Sequence, residues 1–323
     1  MVAGGPPTTR AWPRRRPSVP EIDLGSFAAA LVDWMQDSLQ PLFDTVSSLV
    51  SALVEVVTAA LAGPPALVTI AVLVALAVAT RRPAFIGYAV LSLLLINAMG
   101  LWTDAMHTLA LVLVAAVVAL MIGIPLGIVT AYSRTVAFVV RPMLDLAQTM
   151  PVFVYLIPAV FLFGIGATPG VVATIVFAVA PAVRLTELGI REVDPSVVEA
   201  AVSFGAGRWQ ILTEVHLPLA MRSIMTGVNQ VIMMSLSMVV IAGMVGADGL
   251  GELVVQAVSS LDVAGGFQSG LAVVLLAIYL DRLSGSVATS PGGRPRGTVA
   301  GLLGRRGPTT TPDKPGTTSP APA

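Results

Sequence analysis

The sequence has 323 residues, with 18 basic and 18 acidic side chains, 55% apolar and 11% charged residues, and a mean hydropathy of +0.87. A water-soluble domain carries about 25% charged residues, so this chain lacks the polar surface of one. Zero net charge argues against a nucleic-acid partner. The absence of cysteine excludes disulfides and thiolate chemistry, and two histidines, His107 and His216, are too few for a histidine-rich metal site.

Residues 1–20 are rich in Pro and Arg and are expected to be disordered. The cluster Arg14, Arg15, Arg16 does not introduce an export signal, because Glu21, Asp23, Asp33 and Asp37 follow where an apolar run is needed. Over 21–63 the pattern becomes helical. Leu42, Phe43, Val46, Leu49, Val50, Leu53, Val54 and Val57 recur at the helical period, with Asp44, Ser47, Ser48, Ser51 and Glu55 opposite. Such a helix is expected to lie in the membrane interface or against the protein rather than to cross the bilayer.

Gly63-Pro64-Pro65 ends that helix. Seven apolar segments follow at 66–80, 84–101, 108–131, 151–165, 170–185, 224–245 and 268–280. Each is a candidate span, although several fall short of the roughly 20 residues a bilayer core requires, so tilts, kinks or extensions are expected. The reading is an all-α integral membrane protein of about seven transmembrane helices preceded by an interfacial amphipathic helix. Its membrane domain covers 64–283. The tail at 284–323 is too rich in Gly, Pro, Ser, Thr and Arg to build a core.

Basic residues mark the cytoplasmic side of a membrane protein. Arg81 and Arg82, Arg134 and Arg141, Arg191 and Arg208, and Arg282 follow alternate segments, with Arg184 and Arg222 at the edges on that same side. The intervening connections around Asp104, Gly166 and 248–262 carry no Lys or Arg. The N-terminus is therefore expected outside and the C-terminus in the cytoplasm.

The most informative connection is the loop 187–222, whose core reads REVDPSVVEAAVSFGAGRWQILTEVHLPLAMR from Arg191 to Arg222. It spells two short helices and a glycine hinge. Either Asp194 caps the first helix with Pro195 at its first position, or Ser196 caps it and Glu199 completes a capping box. Gly205 suits the left-handed residue that ends a helix, and Pro218 opens the next span. The product is an amphipathic knob of the kind that fits a groove on a partner.

Glu199-Ala200-Ala201, then Gly205, then Val215-His216-Leu217-Pro218 resembles the EAA loop of ABC-importer permeases. Val215 stands where the family usually has Ile. The stretches Arg141–Gly166, Val171–Ala201 and Gly246–Val254 further resemble the glycine betaine/proline betaine importer permeases. The resemblance implies a type I importer permease fold with Glu199, Ala200, Ala201, Gly205, Leu217 and Pro218 in the ATPase-coupling loop. It also implies a second permease copy, two ATPase subunits and an extracytoplasmic substrate-binding protein as partners, within a lipid bilayer. No cofactor is expected in this chain. Lys314, its only lysine, precedes Pro315, so no phosphate-binding P-loop exists and ATP must be bound by a partner. The same resemblance leaves other small solutes, such as choline, carnitine, amino acids or sulfonates, as alternatives to betaine. An ion-coupled secondary transporter is disfavoured because the seven segments contain no Asp or Glu.

Other features admit two readings each. Gly123, Pro125 and Gly127, and Pro151 and Pro158, either break helices along a path or allow close packing. Asn229, Gln230, Ser235 and Ser237 either line the translocation path or bond between helices. Met233, Met234, Met238 and Met244 act as adaptable packing or as a gate. The segment Asp248-Gly249-Leu250-Gly251-Glu252 contacts a binding protein or forms a turn before a short helix. No catalytic dyad or triad is discernible.

Overall fold

The computed structural model describes residues 24–288, in which every regular element is a helix. The two tails, 1–20 and most of 284–323, lie outside the described residues. In chain order the elements are α1 (Leu24–Ala62), α2 (Ala66–Ala79), α3 (Pro83–Ala98), α4 (Trp102–Tyr132), α5 (Arg134–Thr149), α6 (Val152–Phe163) and α7 (Ala167–Arg191). There follow α8 (Pro195–Ser203), the single turn α9 (Arg208–Gln210), a π-helical turn (Ile211–His216), α10 (Leu217–Ser237), α11 (Val239–Met244), α12 (Leu250–Ser260) and α13 (Val263–Ala288).

The span count differs from the sequence expectation of about seven. Among the described residues, five stretches are long and apolar enough to cross a membrane: Ala30–Ala62, Trp102–Tyr132, Ala167–Arg191, Arg208–Met244 and Val263–Ser286. The bent pair Arg134–Thr149 and Val152–Phe163, turned by 97°, makes a sixth if taken as one span. The candidates at 66–80 and 84–101 become α2 and α3, of 14 and 16 residues. At 1.5 Å per residue these reach only about 21 and 24 Å, short of a hydrocarbon core of about 30 Å. Their apolarity matches a span, but Arg81, in the left-handed region at φ 56°, and Pro83 close a tight hairpin between them.

The N-terminal helix is the second departure. α1 runs for 39 residues and packs along α4, α6 and α7. Its apolar stripe is split. Val46, Val50, Val54 and Val57 close a cluster with Leu111, Val114, Ala115 and Val171, while Leu42, Leu49 and Leu53 face outward. Part of the polar face turns inward as well, with Ser47 and Ser51 meeting the Thr168 hydroxyl at 3.5 and 3.2 Å. Two serines paired to a bundle helix explain why the face that looked solvated in sequence belongs partly to the interior.

The centre of the molecule is the layer α4–α7–α10, in which α7 packs along both neighbours. Close approach of α4 and α7 depends on glycine. A Cβ on Gly123 would lie 2.5 Å from that of Ala182, and one on Gly127 would lie 2.7 Å from that of Thr186. Small residues spaced four apart let membrane helices touch backbone to backbone, which substitutes for the hydrophobic drive that lipid removes. α4 continues unbroken through Pro125, so these residues pack rather than interrupt. α13 closes the other flank. Its Tyr279 hydroxyl donates to the Leu73 carbonyl at 2.8 Å, and Tyr88 of α3 donates to the Leu275 carbonyl at 2.9 Å. The helix also runs past Ser284, where the sequence reading ends the membrane domain, because the Ser284 hydroxyl bonds back to the Leu280 carbonyl at 2.8 Å.

Candidate functional site

The 191–222 connection folds as the knob that its sequence spells. Asp194 is the cap of α8: its Oδ1 accepts from the Ser196 N–H at 2.9 Å, and Pro195 takes the first helical position. Of the two capping schemes open in the sequence, this is the one formed. These bonds favour the ionised form, so the Asp194 carboxyl is held below its usual range. At the other end Gly205 adopts φ 85°. The Gly205 N–H bonds the Val202 carbonyl at 2.9 Å and the Ala206 N–H bonds the Ala201 carbonyl at 3.0 Å. That double closure is a Schellman cap, which favours glycine at the left-handed residue.

α9 is sealed by the Gln210 side chain, whose Oε1 accepts from the Gly207 N–H at 2.9 Å. The following π turn has a local cause. Pro218 has no N–H to offer the Glu214 carbonyl, and the chain widens so that the Leu217 N–H bonds Leu212 instead. The Tyr132 hydroxyl at the end of α4 bonds His216 Nδ1, with the rings 5.6 Å apart, tying the turn to the bundle.

This knob stands out from the molecule. α8 contains no buried residue, Glu199 and Ala200 are exposed, and Ala201 is half-buried. Phe204 is 93% exposed and Trp209 74%. Two aromatic rings held in the open by hydrogen-bonded caps form a surface with an apolar summit. Large aromatics dominate the energetics of protein interfaces, so this surface is suited to docking. Glu199, Ala200, Ala201 and Gly205 belong to this protrusion, whereas Leu217 and Pro218 open α10, with Leu217 packed against Ile190, Ala220 and Ile224 of the bundle.

The four path candidates separate into pairs. Asn229 bonds across to α13, its Nδ2 donating to Asp281 Oδ1 at 3.2 Å and its Oδ1 accepting from the Ser284 hydroxyl. Ser235 is buried at 1%, has no hydrogen-bond partner, and lines a cavity of about 10 Å³ between α4, α7 and α11. Gln230 and Ser237 instead lie on the open face of α10, in line with exposed Thr226 and Met233. Met238 is buried in the core, whereas Met244 is 53% exposed. On the opposite end of the bundle the Asp248–Glu252 stretch is largely enclosed. Leu250 is fully buried and its N–H donates to the Thr108 hydroxyl at 2.8 Å. It forms the turn before α12.

Sequence reasoning missed one group. α7 continues six residues past the segment 170–185 and carries Glu187 into the bundle, 5% exposed. The carboxylate is paired with Arg141 at 2.6 Å and Arg191 at 3.0 Å. A second pair, Arg184 with Asp145, lies beside it. Glu187 and Arg191 stand four apart on one helix face, which is the signal that could have exposed half of the network; the Arg141 partner is 46 residues away. Among the described residues no cluster of three or more potential metal ligands occurs.

A helical bundle with a capped amphipathic knob between its two central spans defines the fold of a type I importer permease. That fold is shared with a chain of the inward-facing MetNI methionine ABC transporter, with a TM-score of 0.52 and 20% identity over 58% of this chain and 94% of that one. Residues 123–288 match the family described as binding-protein-dependent transport system inner membrane component. Similar proteins include the glycine betaine transport system permease protein OpuAB of Bacillus subtilis, 41% identical over 83% of this chain and 95% of its own length. The glycine betaine/carnitine transport permease protein GbuB of Listeria monocytogenes is 45% identical over 83% of this chain and 96% of its own. The glycine betaine/proline betaine permease ProW of Escherichia coli is 45% identical over 82% and 75%. This chain belongs to that family and is a multi-pass inner membrane component of a binding-protein-dependent transport system.

Proposed function

We propose that the chain is the translocating subunit of an ATP-driven importer for a betaine-type quaternary amine. The observation that carries the reading is the knob: a self-capped protrusion without a buried residue in α8 and with Phe204 and Trp209 exposed, in a family whose relatives named above carry glycine betaine in their names. Docked on a separate ATPase subunit, the knob moves with that subunit's nucleotide cycle and switches the bundle between two access states. The chain performs no bond chemistry of its own and needs no cofactor; ATP is bound by the partner.

Two permease copies and two ATPase subunits form the working unit in this reading, with the solute path between the permeases. Gln230 and Ser237 on the open face of α10 are the path candidates this arrangement favours, since amide and hydroxyl groups avoid lipid. Asn229 bonds between helices, and Ser235 lies buried away from that face. An extracytoplasmic binding protein captures the solute and confers selectivity. The distribution of arginines supports a cytoplasmic C-terminus and an N-terminus outside.

The test is uptake of labelled glycine betaine into proteoliposomes containing the permease, its ATPase and its binding protein. Uptake is expected only with ATP, and replacing Glu199 with Ala or Gly205 with Val is expected to leave the permease inserted while reducing recovery of the ATPase. Uptake by the permease alone, driven by a sodium or proton gradient, would sink the reading.

A further inference from the structure

Glu187 takes no part in the docking surface or the path, yet it is a buried charge at the end of a central helix. Its Oε1 accepts from Arg141 Nη2 of α5 at 2.6 Å and pairs with Arg191 Nε of α7 at 3.0 Å. The same Arg191 donates through Nη2 to the Thr130 carbonyl of α4 at 2.9 Å. The last turns of α4 and α7 and the middle of α5 are therefore linked through Glu187 and Arg191. Arg184 and Asp145 make a parallel α7–α5 pair, and together these five charges and Leu188 line a cavity of about 320 Å³.

Arg191 is also the last residue of α7, three residues before the Asp194 cap of α8. The knob is thus joined to the bundle through the π turn, which leads into α10 and is tied to α4 by Tyr132 and His216, and through Arg191 to Glu187. We infer that Glu187 is a positioning residue that passes displacement of the knob to α5 and, through the 97° bend, to α6. The inference rests on the ATP-driven reading above.

A buried ion pair acts through geometry more than through stability. Its net contribution to stability is small, because desolvation offsets attraction. What it supplies is direction: three helices held at fixed distances from one point. Here the centre is buried and the arms are not. The Glu187 side chain is 6% exposed, whereas the side chains of Arg141 and Arg191 are 55% and 39% exposed. Exposed arginines can exchange a carboxylate for water at little cost; the buried carboxylate cannot. Rotation of the knob can therefore release or draw in an arm while the centre stays seated in α7.

The experiment measures solute uptake and ATP hydrolysis together in the reconstituted full transporter. Glu187→Gln is expected to assemble and hydrolyse ATP, with the ratio of solute moved to ATP consumed falling about tenfold. Glu187→Asp, which keeps the charge, is expected to recover most of that ratio. Should Glu187→Gln fail to fold, Arg141→Gln leaves the Glu187–Arg191 pair intact and is expected to show the same fall. An unchanged ratio in the folded variants, or uptake and hydrolysis falling in proportion, overturns the inference, as does failure of both variants to assemble. Uptake without ATP in the unaltered complex would instead remove the transport reading itself.

Discussion

The knob at 192–216 and the turn at 246–252 are both glycine-bearing connections between helices, and they solve opposite problems. The knob carries its own caps at Asp194, Gly205 and Gln210, so it keeps its shape without being buried. The turn opens with a cap of the same kind, Gly246 at φ 89° with its N–H on the Gly243 carbonyl and the Ala247 N–H on the Ala242 carbonyl, but it is then enclosed by what surrounds it. A Cβ on Gly251 would lie 2.2 Å from the Val239 carbonyl oxygen, and one on Gly243 would lie 2.4 Å from the Glu252 nitrogen. Glycine at 205 answers a dihedral angle; glycine at 243 and 251 answers a lack of space. The first kind of segment is free to present side chains to a partner. The second is a piece of core that happens to lie between helices.

The difference can be broken most severely at the enclosed end. Gly251→Val is expected to destabilise the protein by about 3 kcal/mol, the upper part of the range for forced overpacking, read as a lowered thermal midpoint in detergent. At the knob the effect should fall on association instead. Phe204→Ala removes an exposed ring, so stability should change by less than about 0.5 kcal/mol. Affinity for the ATPase should weaken by about 2 kcal/mol, the scale of an aromatic hot spot, measured by titrating purified ATPase onto the permease in nanodiscs. If Phe204→Ala instead lowers the thermal midpoint as Gly251→Val does, the contrast fails.

The smallest effect sharpens the comparison. Asp194→Ala should fray α8 and raise amide exchange over 195–203 alone, while Asn at that position should be tolerated. The pH sign follows from the lowered Asp194 pKa. The cap contributes fully above the ordinary carboxylate pKa and is lost as pH falls through the lowered value. Exchange across α8 should therefore be flat around neutrality and rise only in strong acid.

Local grammar was readable from the chain, and non-local pairing was not. Pro195 and Gly205 marked the ends of α8 because each answers a requirement of the residue itself. α4 and α7 were visible from sustained apolarity, and the likeness of the loop to its family placed the knob. The bounds of α2 and α3 were read closely, but not whether each crosses the bilayer, since a 14-residue apolar helix and half of a span look alike until the hairpin at Arg81 is seen. α5 was hidden by Arg134 and Arg141, which read as marks of the cytoplasmic side; Arg141 in fact pairs with Glu187. In α1 the serines read as a watered face because Thr168, their partner, lies more than a hundred residues away.

The sealed ends of the protrusion have a consequence for ancestry. Because its form is fixed from within, the stretch between Arg191 and Leu217 is a cassette that recombination could exchange between transporters without disturbing the helices that face the cargo. Choice of engine and choice of freight are then inherited on separate strips of one polypeptide.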